Sequence, residues 1–329
     1  TTADGAASPT TRLTIDSTGK ATFTEDASIN SINIGKGANS VANCTVLGEN
    51  ALDAANAGGN NTAIGYNALT DNTSGFSNTA VGFGTLGNNT TGSANQAFGQ
   101  NSLVTNTTGS SNSAYGLQSL YSNISGGFNT GLGRNALYNN TTASNNVAVG
   151  YNSLFANTTG TQNVAVGANA LDSNTTANNN TAVGYLSLGA NTTGQHNAAF
   201  GGTALDANTT GEEITALGAF ALSSNTTADF NTAVGCSAME ANTTGASNTA
   251  VGRRALFNNT TGASNVAVGA NALDANTTGA NNTACGQDSL SANSTADANT
   301  AVGTNALLVN TTGGNNTSVG KDSLRANTT

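Results

Sequence analysis

One pattern in this sequence invites covalent chemistry. Asn72, Asn89, Asn106, Asn123, Asn140, Asn157, Asn174, Asn191, Asn208, Asn225, Asn242, Asn259, Asn276, Asn293, Asn310 and Asn327 each open an N-x-[ST] triplet, and each follows the last by 17 residues. Two triplets change letters yet keep the pattern, "NIS" at 123–125 and "NST" at 293–295. An Asn two residues ahead of a Ser or Thr hydroxyl is the acceptor pattern for an N-linked glycan on an exposed loop. Stacked as β-strands, the units would carry one glycan every ~4.8 Å along one edge. Branched glycans are wider than that. The other reading is turn chemistry, since Asn and Thr side chains bond nearby backbone groups. Either way the column is expected to be solvent-exposed on one edge.

The remaining chemistry is thin. His196, the one histidine, stands beside Gln195 with no repeated partner, so it lacks the fixed geometry a general base needs. Glu212–Glu213 and Arg253–Arg254 read as local surface pairs. Asp53, Asp172, Asp206 and Asp274 share one place in the unit but are too scattered for a calcium array. Cys44, Cys236 and Cys285 occupy different units, and an odd number without a pairing pattern gives no disulfide framework and no metal site. Cys285 takes an apolar position, where a buried free thiol is expected. No catalytic residue, metal or cofactor is assigned, and an enzyme is not expected.

What positions the Asn column is a 17-residue repeat. The glycine of "AVG" recurs from Gly48 through Gly65 to Gly320 without insertion or deletion. Such strictness means every residue has a fixed place in a stacked coil. Each unit is numbered here from the residue four before that glycine. Position 4 is apolar in every unit and position 9 is Leu, or Met239 once. These are expected to form two inward columns. Position 2 has the parity of position 4, so Val147–Val149 reads in-out-in. Small residues at positions 3 and 8 are expected to let another chain or sheet approach closely. Asn at position 1, replaced only by Ile214 among the full units, suits an inward Asn ladder. Asn, Thr and Gly oppose helix on both sides of "NAL". The expected fold is all-β: a parallel β-solenoid, or β-roll, of seventeen 17-residue coils with an N-terminal β-hairpin.

That hairpin is read at residues 11–24, where "RLTI" and "KATFT" alternate around the turn cluster "DSTGK". It would cap the open edge of the first coil. The domains are then 1–40, a capping or assembly segment, and 41–329, the solenoid.

Composition narrows the class. Charged residues are 8% of the chain, there is no Trp, and net charge is −9. Low charge argues against disorder, and a negative balance against nucleic-acid binding. No apolar run reaches the ~20 residues of a membrane span. The chain starts without Met and stops partway through a unit, as a processed or excised piece would.

"NVAVG" at 146–150, 163–167 and 265–269 resembles the head repeat of trimeric autotransporter adhesins, Asn-Ser-Val-Ala-Ile-Gly. "SINIGKGANSVANCTVLG" (31–48) is nearer still, with Gly35 and Gly48 thirteen apart. The units with "NTTG" and "NTAVGYNAL" also resemble repeats of bacteriophage tail fibres, where a segment like "RLTIDSTGKATFT" leads into the fibre. The resemblance implies a left-handed parallel β-roll with three chains side by side. The unit here is longer, through the "NTTG" loop, and no heptad stalk is present. The expected function is a structural or adhesive fibre, extracellular or on a virion, self-associating as a trimer or end to end and carrying glycans along one edge. The alternatives are an ice-binding solenoid, weakened by breaks in the Thr column at position 2 (Gln96, Val147, Val164, Ala198, Val266), and a polysaccharide-cutting tailspike-like enzyme. The latter would need paired carboxylates in a groove, which the acid-poor units do not offer.

Overall fold

The computed structural model describes residues 13–19, 21–23, 26–37, 41–54 and 58–328. Those residues form strands and turns, with no helix among them. Strands β1 (Leu13–Ile15) and β2 (Ala21–Phe23) pair antiparallel, Leu13 opposite Phe23, as the alternation around "DSTGK" predicts. Arg12, Lys20 and Thr24 of that segment lie outside the described residues.

Strands β3 (Ala27–Ile29) and β4 (Ile32–Gly35) make a second hairpin, and β4 pairs antiparallel with β5 (Thr45–Gly48). This hairpin, rather than β1–β2, covers the first edge of the stack. The antiparallel pairing also shows that "SINIG" is not a coil of the solenoid. From β5 on, one strand per unit follows at positions 2–4, from β6 (Thr62–Ile64) to β21 (Thr317–Val319). Each pairs parallel and in register with the next, as in Val164↔Thr181 and Val166↔Val183. Every pairing joins sequence neighbours, so this is a one-directional ladder and not a closed barrel. Seventeen strands at ~4.8 Å span about 80 Å.

The turns explain the fixed residues. The marker glycines from Gly65 to Gly320 have φ between +121° and +139°. A Cβ on Gly65 would lie 2.4 Å from the Gly82 carbonyl oxygen of the next coil. Only glycine accepts both conditions. Positions 7, 9 and 17 are also left-handed, including every residue of the Leu column, Leu52 (φ 47°) through Met239 (52°) to Leu324 (48°). A left-handed backbone costs an L-residue about 1–2 kcal/mol. Complete burial of a leucine side chain returns about 1.5–3 kcal/mol, which offsets it. From Leu52 to Leu307 the column is fully buried, as expected.

The second apolar column is not. Within each strand from β5 on the middle residue, Ala at position 3 except for Val46, Gly131 and Ser318, is buried, while positions 2 and 4 are exposed or half-exposed. The strand reads out-in-out, the reverse of the expected parity. The physical reason is lumen width. Ala at position 3 and Ala, Ser or Thr at position 8 share the interior with Leu. Leu at position 9 and the side chains of positions 1 and 12 take up the rest of the interior, so Val or Phe at position 4, on the opposite strand face from position 3, has no room. The small residues therefore fill a narrow core and do not receive another chain. Cys285, at position 4, is accordingly exposed and not buried.

Candidate functional site

The Asn columns set the site. At position 12 the side chain turns inward. Asn89 Nδ2 donates to Asn72 Oδ1 at 2.8 Å and to the Gly92 carbonyl of its own coil at 2.9 Å. Asn157 repeats this toward Asn140 (3.0 Å) and Gly160 (3.0 Å), and Asn174 toward Asn157 (2.9 Å). The links continue to Asn310 on Asn293 (3.3 Å) and Asn327 on Asn310 (3.2 Å). Asn72, Asn89, Asn106, Asn123, Asn140, Asn157, Asn174, Asn191, Asn208, Asn225, Asn242, Asn259, Asn276, Asn293 and Asn310 are fully buried, and Asn327, in the last coil, is half-buried.

This corrects the expectation of an exposed column. In this fold the amide nitrogen that a glycan would occupy is spent on two internal hydrogen bonds, and no space surrounds it. The neighbouring Thr at position 13 bonds the stack as well: the Thr90 hydroxyl donates to the Thr107 carbonyl at 3.0 Å. The turn-chemistry reading holds, in a stronger form than local turn bonding.

Position 1 forms a second internal ladder of different geometry. The backbone N–H of Asn78 donates to Asn61 Oδ1 (2.9 Å), while Asn61 Nδ2 donates to the Gly75 carbonyl at position 15 of its own unit (2.9 Å). Here the expected inward Asn is found. Ile214 interrupts it: its own N–H still donates to Asn197 Oδ1 (3.0 Å), but it offers no acceptor to Asn231.

With the interior filled, interaction chemistry is left to the outside. Its largest feature is the sheet face made by positions 2 and 4. Position 4 presents Val, Leu, Ile, Phe, Tyr or Cys on all seventeen rungs, and position 2 presents Thr on eleven. Leu47, Leu132, Phe200, Leu217 and Val319 are among the exposed members. In-register stacking also aligns aromatic rings. Phe98 and Tyr115 lie 4.8 Å apart and 6° from parallel on this face, and Tyr121 and Tyr138 4.9 Å apart on position 10. The signal for this face was the monotony of position 3, whose small residues mark it as the constrained, inward one.

The titratable residues stay dispersed. His196 is exposed, its Nε2 3.5 Å from Asn179 Nδ2. Asp172, Asp206 and Asp274 are half-buried at position 10, and burial raises the pKa of each carboxyl above the usual value. Cys44 is buried with its Sγ 3.9 Å from the Gly58 carbonyl, and Cys236 is exposed. Among the described residues no three His, Cys, Asp or Glu side chains gather as a metal site, and no helix is long and apolar enough to cross a membrane. Comparison with known proteins adds no relative: no family model, curated protein or solved structure matches this chain.

Proposed function

We propose that this chain is the structural rod of an extracellular or virion fibre, built to associate with copies of itself side by side. The observation that carries the reading is the continuous face of positions 2 and 4. It is about 80 Å long and roughly 10 Å wide, or about 800 Å² per partner, the size of a standard protein interface. Half of it, the position 4 column, is apolar on every rung, and a continuous apolar column along a surface marks a site of association. The internal Asn ladders supply stiffness, and the resemblance of "NVAVG" to adhesin and tail-fibre repeats supports a trimer. Sedimentation equilibrium tests it. The parent should run as a multiple of 32.2 kDa. The double variant Val149→Lys, Val183→Lys places charges two rungs apart on the face and should dissociate to folded monomers whose melting no longer depends on protein concentration. A parent that is monomeric at micromolar concentration defeats the proposal.

One observation favours a second reading. The Thr column at position 2, on eleven of seventeen rungs, points outward on an in-register sheet, the kind of ladder an ice-binding face uses. Ice binding needs the face free, so it requires a monomer. Thermal hysteresis measured on the parent and on the same lysine variant separates the two readings.

A further inference from the structure

A cleft of about 370 Å³ interrupts the side of the rod at the third coil. Its size falls within the range of small-molecule sites. It lies among positions 6–11, off the face formed by positions 2 and 4, so it stays open whether or not the rods associate. Glycine makes it. This is the one unit with Gly at position 7 (Gly84) and also Gly at position 10 (Gly87), and both line the cleft. Phe83 forms a wall, 52% exposed, its ring backed by Tyr66 at 5.3 Å and 17°. Asn67, Asp71 and Asn101 supply the polar rim.

The polar rim carries a specific gap. At position 7, Asn side chains elsewhere link coil to coil: Asn50 Nδ2 donates to Asn67 Oδ1 (3.0 Å), and Asn135 Nδ2 to Asn152 Oδ1 (3.1 Å). Asn67 is thereby oriented with its own Nδ2 free to serve the next coil, where Gly84 has no side chain. From the far side Asn101 leans in: a Cβ placed on Gly84 would lie 2.6 Å from Asn101 Oδ1. One donor and one acceptor therefore border the space left by the missing side chain, into which Asn101 reaches, beside an exposed aromatic ring. A hydroxyl is the group that can accept from Asn67 and donate to Asn101 at once. A pyranose ring provides such hydroxyls around an apolar C–H face that packs on an aromatic ring.

We propose that this cleft binds a neutral pyranose sugar, with Phe83 as its platform and the Asn67–Asn101 gap holding one ring hydroxyl. The test uses saturation-transfer NMR and titration with methyl glucoside, methyl galactoside and N-acetylglucosamine, with glycerol as a polyol lacking a rigid apolar face. At least one sugar should bind the parent, with saturation concentrated on one face of the ring, and glycerol should bind more weakly. Gly84→Asn rebuilds the missing rung; Gly84 has φ +63°, close to Asn135 at 58°, so the backbone accepts an Asn once the Asn101 side chain swings off the added Cβ. That variant should melt no lower than the parent and lose about tenfold or more in sugar affinity, the scale of one hydrogen-bonded pair. Phe83→Ala should lose binding as well. The proposal is overturned if none of the three sugars binds, if glycerol competes equally, or if Gly84→Asn binds as the parent does.

Discussion

Replacing Asn157 by Asp changes one NH₂ to an oxygen of the same size, and the internal ladder makes that change costly in a pH-dependent way. Asn157 Nδ2 gives hydrogen bonds to Asn140 Oδ1 and the Gly160 carbonyl, both at 3.0 Å. An ionised carboxylate in its place would set a bare oxygen against both acceptors inside a fully buried column. A protonated carboxyl still donates one of the two bonds, so the loss at low pH is about 1 kcal/mol. Burial beside two acceptors raises the folded-state pKa far above the unfolded value of about 3.9. The penalty is thus absent below about pH 3.9, where both states are protonated, and grows as pH rises. If the folded pKa reaches about 7, the added loss at neutral pH is about 4 kcal/mol, roughly 3 pH units at about 1.36 kcal/mol each. In a repeat array such a loss is felt locally. Hydrogen exchange of Asn157→Asp against the parent, from acidic to mildly alkaline pH, should show a gap widening with pH and centred on the coils of Asn140, Asn157 and Asn174. Exposed Asn145, substituted to Asp, is the control. A gap independent of pH, or equal to that of the control, would refute the internal ladder.

Three further outcomes follow from the packing. Leu188→Ala, in the fully buried column, should cost about 2–5 kcal/mol by chemical denaturation and strip protection from its own and adjacent coils; parent-like melting would mean position 9 is not the core. Ile214→Asn should stay within about 1 kcal/mol of the parent, because the lost apolar burial is offset by the acceptor regained for Asn231, whereas Asn180→Ile should cost more than about 2 kcal/mol; the reverse order in thermal melts would contradict the position-1 ladder. Asp172, Asp206 and Asp274 have raised pKa values from burial, so their contribution to stability is fully present below the unfolded carboxylate pKa and is lost as pH rises through the raised folded values. Replacing all three by Asn should flatten that part of the melting profile, and an unchanged slope between mildly acidic and neutral pH would count against it.

The sequence by itself determined the period, the class and half of the interior. A glycine every 17 residues, with no length change, leaves a stacked coil as the only economical fold. Leu at position 9 was legible as inward because no other apolar residue in the unit is so uniform, and Asn at position 1 because a repeated Asn suits a stacked internal ladder. The β1–β2 hairpin was legible from alternation around a turn cluster. Tertiary structure decided which face of the three-residue strand points in. Hydrophobicity favours burying Val at position 4, as in Val149 and Val166, but a 17-residue perimeter is already filled by Leu at position 9, the two Asn columns and the small residue at position 3. The same closure turned Asn157 and its column from the surface to the interior. An N-x-[ST] triplet on a turn looks alike in both cases, and only the coil's path shows that the amide faces the carbonyl of position 15 and the Asn of the coil before. Which hairpin caps the first edge was likewise out of reach, since β4 reaches β5 through an antiparallel pairing that no local pattern encodes.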